Sequence, residues 1–142
     1  MTFATDASTI RSHFSAEWPL LRPTVPVAYD NSAFDPAVDA LDPNGDPAPW
    51  VRFSILPGDA FQASLGTPKV WRSTGLATIQ VYVPVGQGDG LAAELADDAS
   101  GIFRGVRLDG LIFRAPALTR IGDDGAWYQI NVTTPYLAEL VA

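Results

Sequence analysis

From Ala77 to Val85 apolar side chains alternate with polar ones, with Ala77, Ile79, Val81 and Val83 on one face and Thr78, Gln80 and Tyr82 on the other. A period of two over that length describes a half-buried strand, because a helix would scatter the same apolar set around its circumference. The next residues narrow the fold further. Gly86-Gln87-Gly88-Asp89-Gly90 forms a turn, and from Leu91 the period becomes helical. Leu91, Leu95, Ala99 and Ile102-Phe103 make one apolar stripe while Glu94, Asp97 and Asp98 face water, and Gly105 is placed to stop the helix.

An earlier helix is expected from about Asp6 to Trp18, with Asp6 or Ser8 as its cap, Ile10, Phe14 and Trp18 recurring every four residues, and Pro19 as its end. Val25 to Tyr29 is extended, and Pro26 confines it to an edge strand or an arm. Trp50 to Leu56 is a second strand, with Val51, Phe53 and Ile55 facing inward. Gly110 to Thr119 and Trp127 to Thr134 are two more, joined through Gly122-Asp123-Asp124-Gly125. Two segments read as long loops, about 34–49 with four prolines and four aspartates, and about 57–75 with Gly58-Asp59, Gly66 and Thr67-Pro68. Residues 1–142 are expected to form one α+β domain, an antiparallel or mixed sheet of about four to five strands with two helices packed on one face.

Composition removes several functions. The chain has no cysteine and one histidine, which excludes disulfides, cysteine nucleophiles and thiolate metal sites and leaves zinc short of the Cys and His ligands its sites are mostly built from. Nine Lys and Arg against sixteen Asp and Glu give a formal charge of −7, opposed to direct binding of a phosphate backbone. No apolar run approaches the ~18 residues of a membrane span, and the start Met1-Thr2-Phe3 has no basic region before an apolar one, so synthesis in the cytoplasm and no membrane partner are expected.

The remaining motifs carry no chemistry. Asp42, Asn44 and Asp46 imitate the opening of a calcium loop, but Pro47 stands where that loop needs glycine and no glutamate follows at its twelfth position. The Gly86 to Gly90 run lacks the third spaced glycine of a dinucleotide site and the Lys-Ser/Thr of a P-loop, and Asp89 would repel a phosphate. Asp97-Asp98 point to different helix faces, Asp123-Asp124 belong to a turn, and His13 precedes the core residue Phe14, as a surface or boundary histidine would. Asn131-Val132-Thr133 is a chance sequon on a strand. No catalytic residue, cofactor site or metal site is expected.

Charge and aromatic placement point to contacts between chains. Asp35, Asp39, Asp42 and Asp46 fall in a stretch with no base, whereas Arg104, Arg107, Arg114 and Arg120 cluster around only Asp109. An acidic and a basic surface of this kind either stay solvated or meet between copies. Trp18 and Trp127 are assigned to the core. Trp71, between Lys69 and Arg72 in the expected second loop, is a candidate intersubunit contact, with Arg72 beside it.

Three sets of residues together carry a family resemblance. Trp18-Pro19 precedes Val25-Pro26-Val27-Ala28-Tyr29-Asp30-Asn31, then Phe34-Asp35-Pro36 and Trp50-Val51-Arg52-Phe53. Gln80-Val81-Tyr82-Val83-Pro84 leads through Gly86 to Gly90 into Leu91 to Asp97, then Ile102-Phe103. Gly125-Ala126-Trp127-Tyr128-Gln129-Ile130-Asn131-Val132 comes before Pro135-Tyr136. The chain resembles the tail terminators of long-tailed bacteriophages and of phage-derived particles such as gene transfer agents. The resemblance implies a structural subunit at the neck end of the virion tail. It would form a homo-hexameric ring, bind the last ring of the tail tube protein, stop polymerisation and offer a surface to the head-tail connector, with DNA only passing through the lumen. Another neck or head-tail completion protein, or a minor tail subunit, is the nearest alternative, and a small hydrolase a distant one.

Overall fold

The stripe Ile10, Phe14 and Trp18 is the seam on which the layers meet. The computed structural model describes residues 3–141, and in it helix α1 spans Phe3–Leu21 with those three side chains buried. The reading made of Met1 and Thr2 falls outside the described residues. Pro19 does not end the helix as expected. Its missing N–H deprives only the carbonyl of exposed Ser15, which water can satisfy, while the Arg22 amide still donates to the Trp18 carbonyl at 2.8 Å. The helix also begins earlier, so Asp6 is not a cap but a buried residue of the first turn.

Strand β1 (Val27–Tyr29) runs parallel to β2 (Trp50–Gln62), as an edge strand. A parallel neighbour needs a crossover that returns the chain to its starting end, and the proline- and aspartate-rich loop supplies it. That loop holds one helical turn, α2 (Pro36–Asp39), with Asp35 as its cap and Pro36 opening it.

The segment expected to be a loop over 57–75 is mostly strand. β2 continues to Gln62, and β3 (Val70–Pro84) pairs with it along its length. Pro57-Gly58-Asp59 is accommodated because the register shifts between Pro57 and Ala60, and a bulge tolerates a residue without an N–H. Helix α3 (Gly90–Phe103) follows the glycine turn as expected, and Gly105 takes φ 66° just past its end. The strand expected from Gly110 to Thr119 is broken at Pro116. It becomes β5 (Leu111–Phe113), paired with β4 (Arg107–Leu108), and β6 (Ala117–Asp124), which turns through Gly125-Ala126 into β7 (Trp127–Val141).

Among the described residues the sheet therefore has seven strands, in the order β1-β2-β3-β7-β5-β4 with β6 also beside β7, and the helices number three. The class is α+β as expected. The additional elements are two- to four-residue pieces that no periodicity could reveal.

Helices α1 and α3 cover one face of the sheet. Phe14 stacks on Phe53 at 4.4 Å and Phe103 on Phe113 at 4.7 Å, joining the helices to β2 and β5 within one core. On the opposite face only the Trp50 end is covered. There Ala28, Ala40 and Phe34 pack with Trp50, which stacks on Tyr82 at 4.1 Å and meets Trp127 edge-on at 6.0 Å.

Candidate functional site

The sheet is longer than the layers that cover it, so its two ends differ in chemistry. At one end β2 and β3 project as a hairpin, with the end of β7 paired along β3 as far as Val70. From Leu56 to Gln62 every residue of β2 is exposed, and Leu56, Phe61, Leu65 and Trp71 present large apolar side chains to solvent. The root of the hairpin is the row Pro57, Gly75 and Tyr136, where the Tyr136 ring lies over the Gly75 backbone. The tip is braced by its own hydrogen bonds. The Ala63 amide donates to the Val70 carbonyl at 2.7 Å, the Val70 amide to Ser64 Oγ at 2.9 Å, and Gln62 Nε2 to the Ser64 carbonyl at 2.6 Å.

The basic segment divides. Arg107 sits opposite Ile112, whose partner is Leu137, and the Arg114 amide donates to the Pro135 carbonyl, so both belong to the hairpin half of the sheet. Arg104 lies beside them at the end of α3. Among the described residues these three exposed arginines have no acidic partner within ion-pair distance. Arg120 does not join them. It pairs with Ile130 toward the other end, and its Nη1 donates to Asp89 at 2.7 Å, which holds the Asp89 carboxyl below its ordinary range. Arg72 stands on β3, not in a loop, and is bound to Glu139 of β7 at 2.7 Å. Trp71, also on β3, is partly exposed beside Leu140.

At the opposite end the crossover loop closes over the start of β2. Its aspartates fold it locally. Asp35 Oδ1 accepts from the Ala37 amide, Asp39 Oδ2 from the Asp35 amide, and Asp42 Oδ1 from the amides of Asn44 and Asp46, each at 2.8 to 3.1 Å. These bonds consume one oxygen of each of three carboxylates and leave the loop's negative charge facing water. Between this loop, the α1–β1 connection and the start of α3 lies a groove of about 650 Å³. Its walls are Val25, Leu41, Pro43, Pro49 and Leu91 over the buried Leu95. Arg22, on its rim, is held by Asp98 at 2.6 Å.

Sequence reasoning missed the groove. Leu41 was hidden in a loop composition, and Leu91 belongs to the apolar stripe of α3 yet remains 39% exposed. It also missed Leu56, Phe61 and Leu65. The signal available was the pair Phe61 and Trp71 flanking a glycine and a proline, which is the pattern of a hairpin.

His13 Nε2 donates to the Ile102 carbonyl at 2.9 Å and its ring leans on Phe103, so it ties α1 to the end of α3. Among the described residues no group of three or more His, Asp and Glu side chains could hold a metal ion, and no helix is long and apolar enough to cross a membrane.

A family model described as phage tail terminator protein matches residues 7–136. No curated protein matches the chain. Among solved structures 15 chains match. One of them aligns over 96% of this chain and 97% of its own at 20% identity and a TM-score of 0.62, a likeness of fold.

Proposed function

Because the chain belongs to the phage tail terminator family, a family of structural tail proteins, we propose that it caps the tail tube as a hexameric ring of identical copies. The ring seats on the last ring of the tube, stops its polymerisation and presents its free face to the head-tail connector, while DNA passes through the lumen. One observation carries this reading. The two ends of the subunit are complementary, with an apolar hairpin and Arg104, Arg107 and Arg114, which have no ion-pair partner among the described residues, at one end and an acidic loop beside an apolar groove at the other. Unlike ends favour head-to-tail contacts, and such contacts close into a ring when the rotation per subunit closes.

The uncovered face of the sheet supports the same reading. Its central rows, Arg52-Gln80-Asn131-Thr119 and Ser54-Thr78-Thr133, hold Arg52, which lies over the Trp50 ring at 5.7 Å, and meet the Asp30 carboxylate, which accepts from Ser54 Oγ at 2.9 Å, so the two charges offset. A nearly neutral wall offers a passing phosphate backbone little to bind.

Electron microscopy of particles assembled with and without this chain tests the function. Abnormally long, headless tails in its absence are the expected result. Tails of normal length that fail to join heads would instead make the protein a neck subunit.

A further inference from the structure

We propose that the tip of the β2–β3 hairpin, led by Leu65, seats in the apolar groove of the neighbouring copy. This rests on the ring reading and specifies the contact that builds it. Leu65 is 94% exposed, more than any other large apolar side chain described. The hydrogen bonds across Ala63, Ser64 and Val70 hold its loop in shape before binding, so little ordering is needed to seat it.

The groove suits that guest. Leu41 and Leu91 remain 43% and 39% exposed on its walls, and Leu95 forms its floor. The arginine on its rim is already engaged by Asp98, so the cavity offers an apolar side chain few competing polar groups. A subunit cannot fill its own groove. The hairpin tip continues from the far end of β2 and the groove adjoins its start, and thirteen residues of strand separate them by about 40 Å. The occupant must be a second chain. Charge selects the same partner, since the tip carries Lys69 and the groove is lined by Asp42 with Asp46 close by in the same turn.

The natural absence of cysteine makes the contact directly testable by cross-linking. Gly66→Cys places a thiol beside Leu65 at a position with open space around it, and Pro43→Cys places one on the groove wall. The mass of the native assembly, alone and on tube ends, is measured first, and the double variant is then oxidised and separated under denaturing conditions. The expected result is a covalent ladder reaching the full ring, with no ladder beyond dimer in either single variant and none in Gly66→Cys/Leu118→Cys, whose second site lies on β6. Leu65→Asp should weaken self-association roughly tenfold or more while the melting temperature of the subunit stays unchanged. Rings that form by mass yet give no ladder, or the same ladder with the control pair, overturn the seat and leave the ring standing. Absence of any assembly, alone or on tubes, overturns both.

Discussion

Tyr136 lays its phenol over the backbone of its cross-strand partner Gly75, so that a Cβ at position 75 would overlap the ring at Cζ, Oη and Cε1. The neighbour is a buried ring packed against Phe113 at 5.7 Å, with little freedom to withdraw. Gly75→Ala should therefore destabilise the protein by about 1–3 kcal/mol, as overpacking does, and lower the melting temperature by several degrees. Gly66→Ala at the hairpin tip meets nothing and should stay within about 0.5 kcal/mol of the parent. Thermal unfolding of the two variants side by side decides it, and equal effects would mean that the hairpin root is not so tightly fitted.

Asp6 is almost wholly buried in the first turn of α1, and among the described residues its Oδ1 has no hydrogen-bond partner. Burial pushes its carboxyl above the ordinary range, so the folded state holds the proton more tightly than the unfolded chain. Stability from this group is then present at low pH and lost as the pH rises through the raised value. Asp6→Asn should be more stable than the parent at neutral pH, and the difference should close as the pH falls to the ordinary carboxylate value. Denaturant melts across that interval would contradict this by giving a difference independent of pH.

Phe14 is the central member of the aromatic stack, between Trp18 at 5.8 Å and Phe53 at 4.4 Å. Phe14→Ala leaves a cavity where α1 meets β2 and should cost about 3–5 kcal/mol, read as a fall in the denaturant midpoint. A loss under about 1 kcal/mol would mean that the first helix contributes little to the core.

Much of this fold was legible because its long elements keep one period throughout. The alternation in β3 and the stripe of α3 were read correctly from Ala77 to Phe103, and Gly105 ended the helix where its positive φ is needed. What failed shares a physical cause. Pro19, Pro57 and Pro116 are local punctuation, and whether each interrupts an element depends on which hydrogen bond it removes and what replaces it. At Pro57 a bulge replaced it, and at Pro19 the carbonyl left without a donor belongs to exposed Ser15, which solvent can reach. The site was legible as charge but not as shape. The acidic and basic segments were both visible, yet nothing in the order Arg104, Arg107, Arg114, Arg120 shows that the last one folds back to Asp89.

Replacing Arg104, Arg107 and Arg114 together by Gln should therefore leave subunit stability nearly unchanged, because all three are exposed and none has an ion-pair partner among the described residues. Self-association should weaken by about tenfold and lose much of its dependence on salt. Arg120→Gln should leave association unaffected, its charge being already matched within the chain. Sedimentation at two ionic strengths separates these outcomes, and an equal loss from Arg120→Gln would return that residue to the interface.

Capping is tested most directly by adding the purified protein to tail tube protein that is already polymerising, and following tube length by electron microscopy. A terminator halts elongation on addition, shortens the mean tube in proportion to dose and is found only at tube ends. Tubes that continue to grow, or that carry the protein along their length, would contradict termination and identify a subunit of the tube itself.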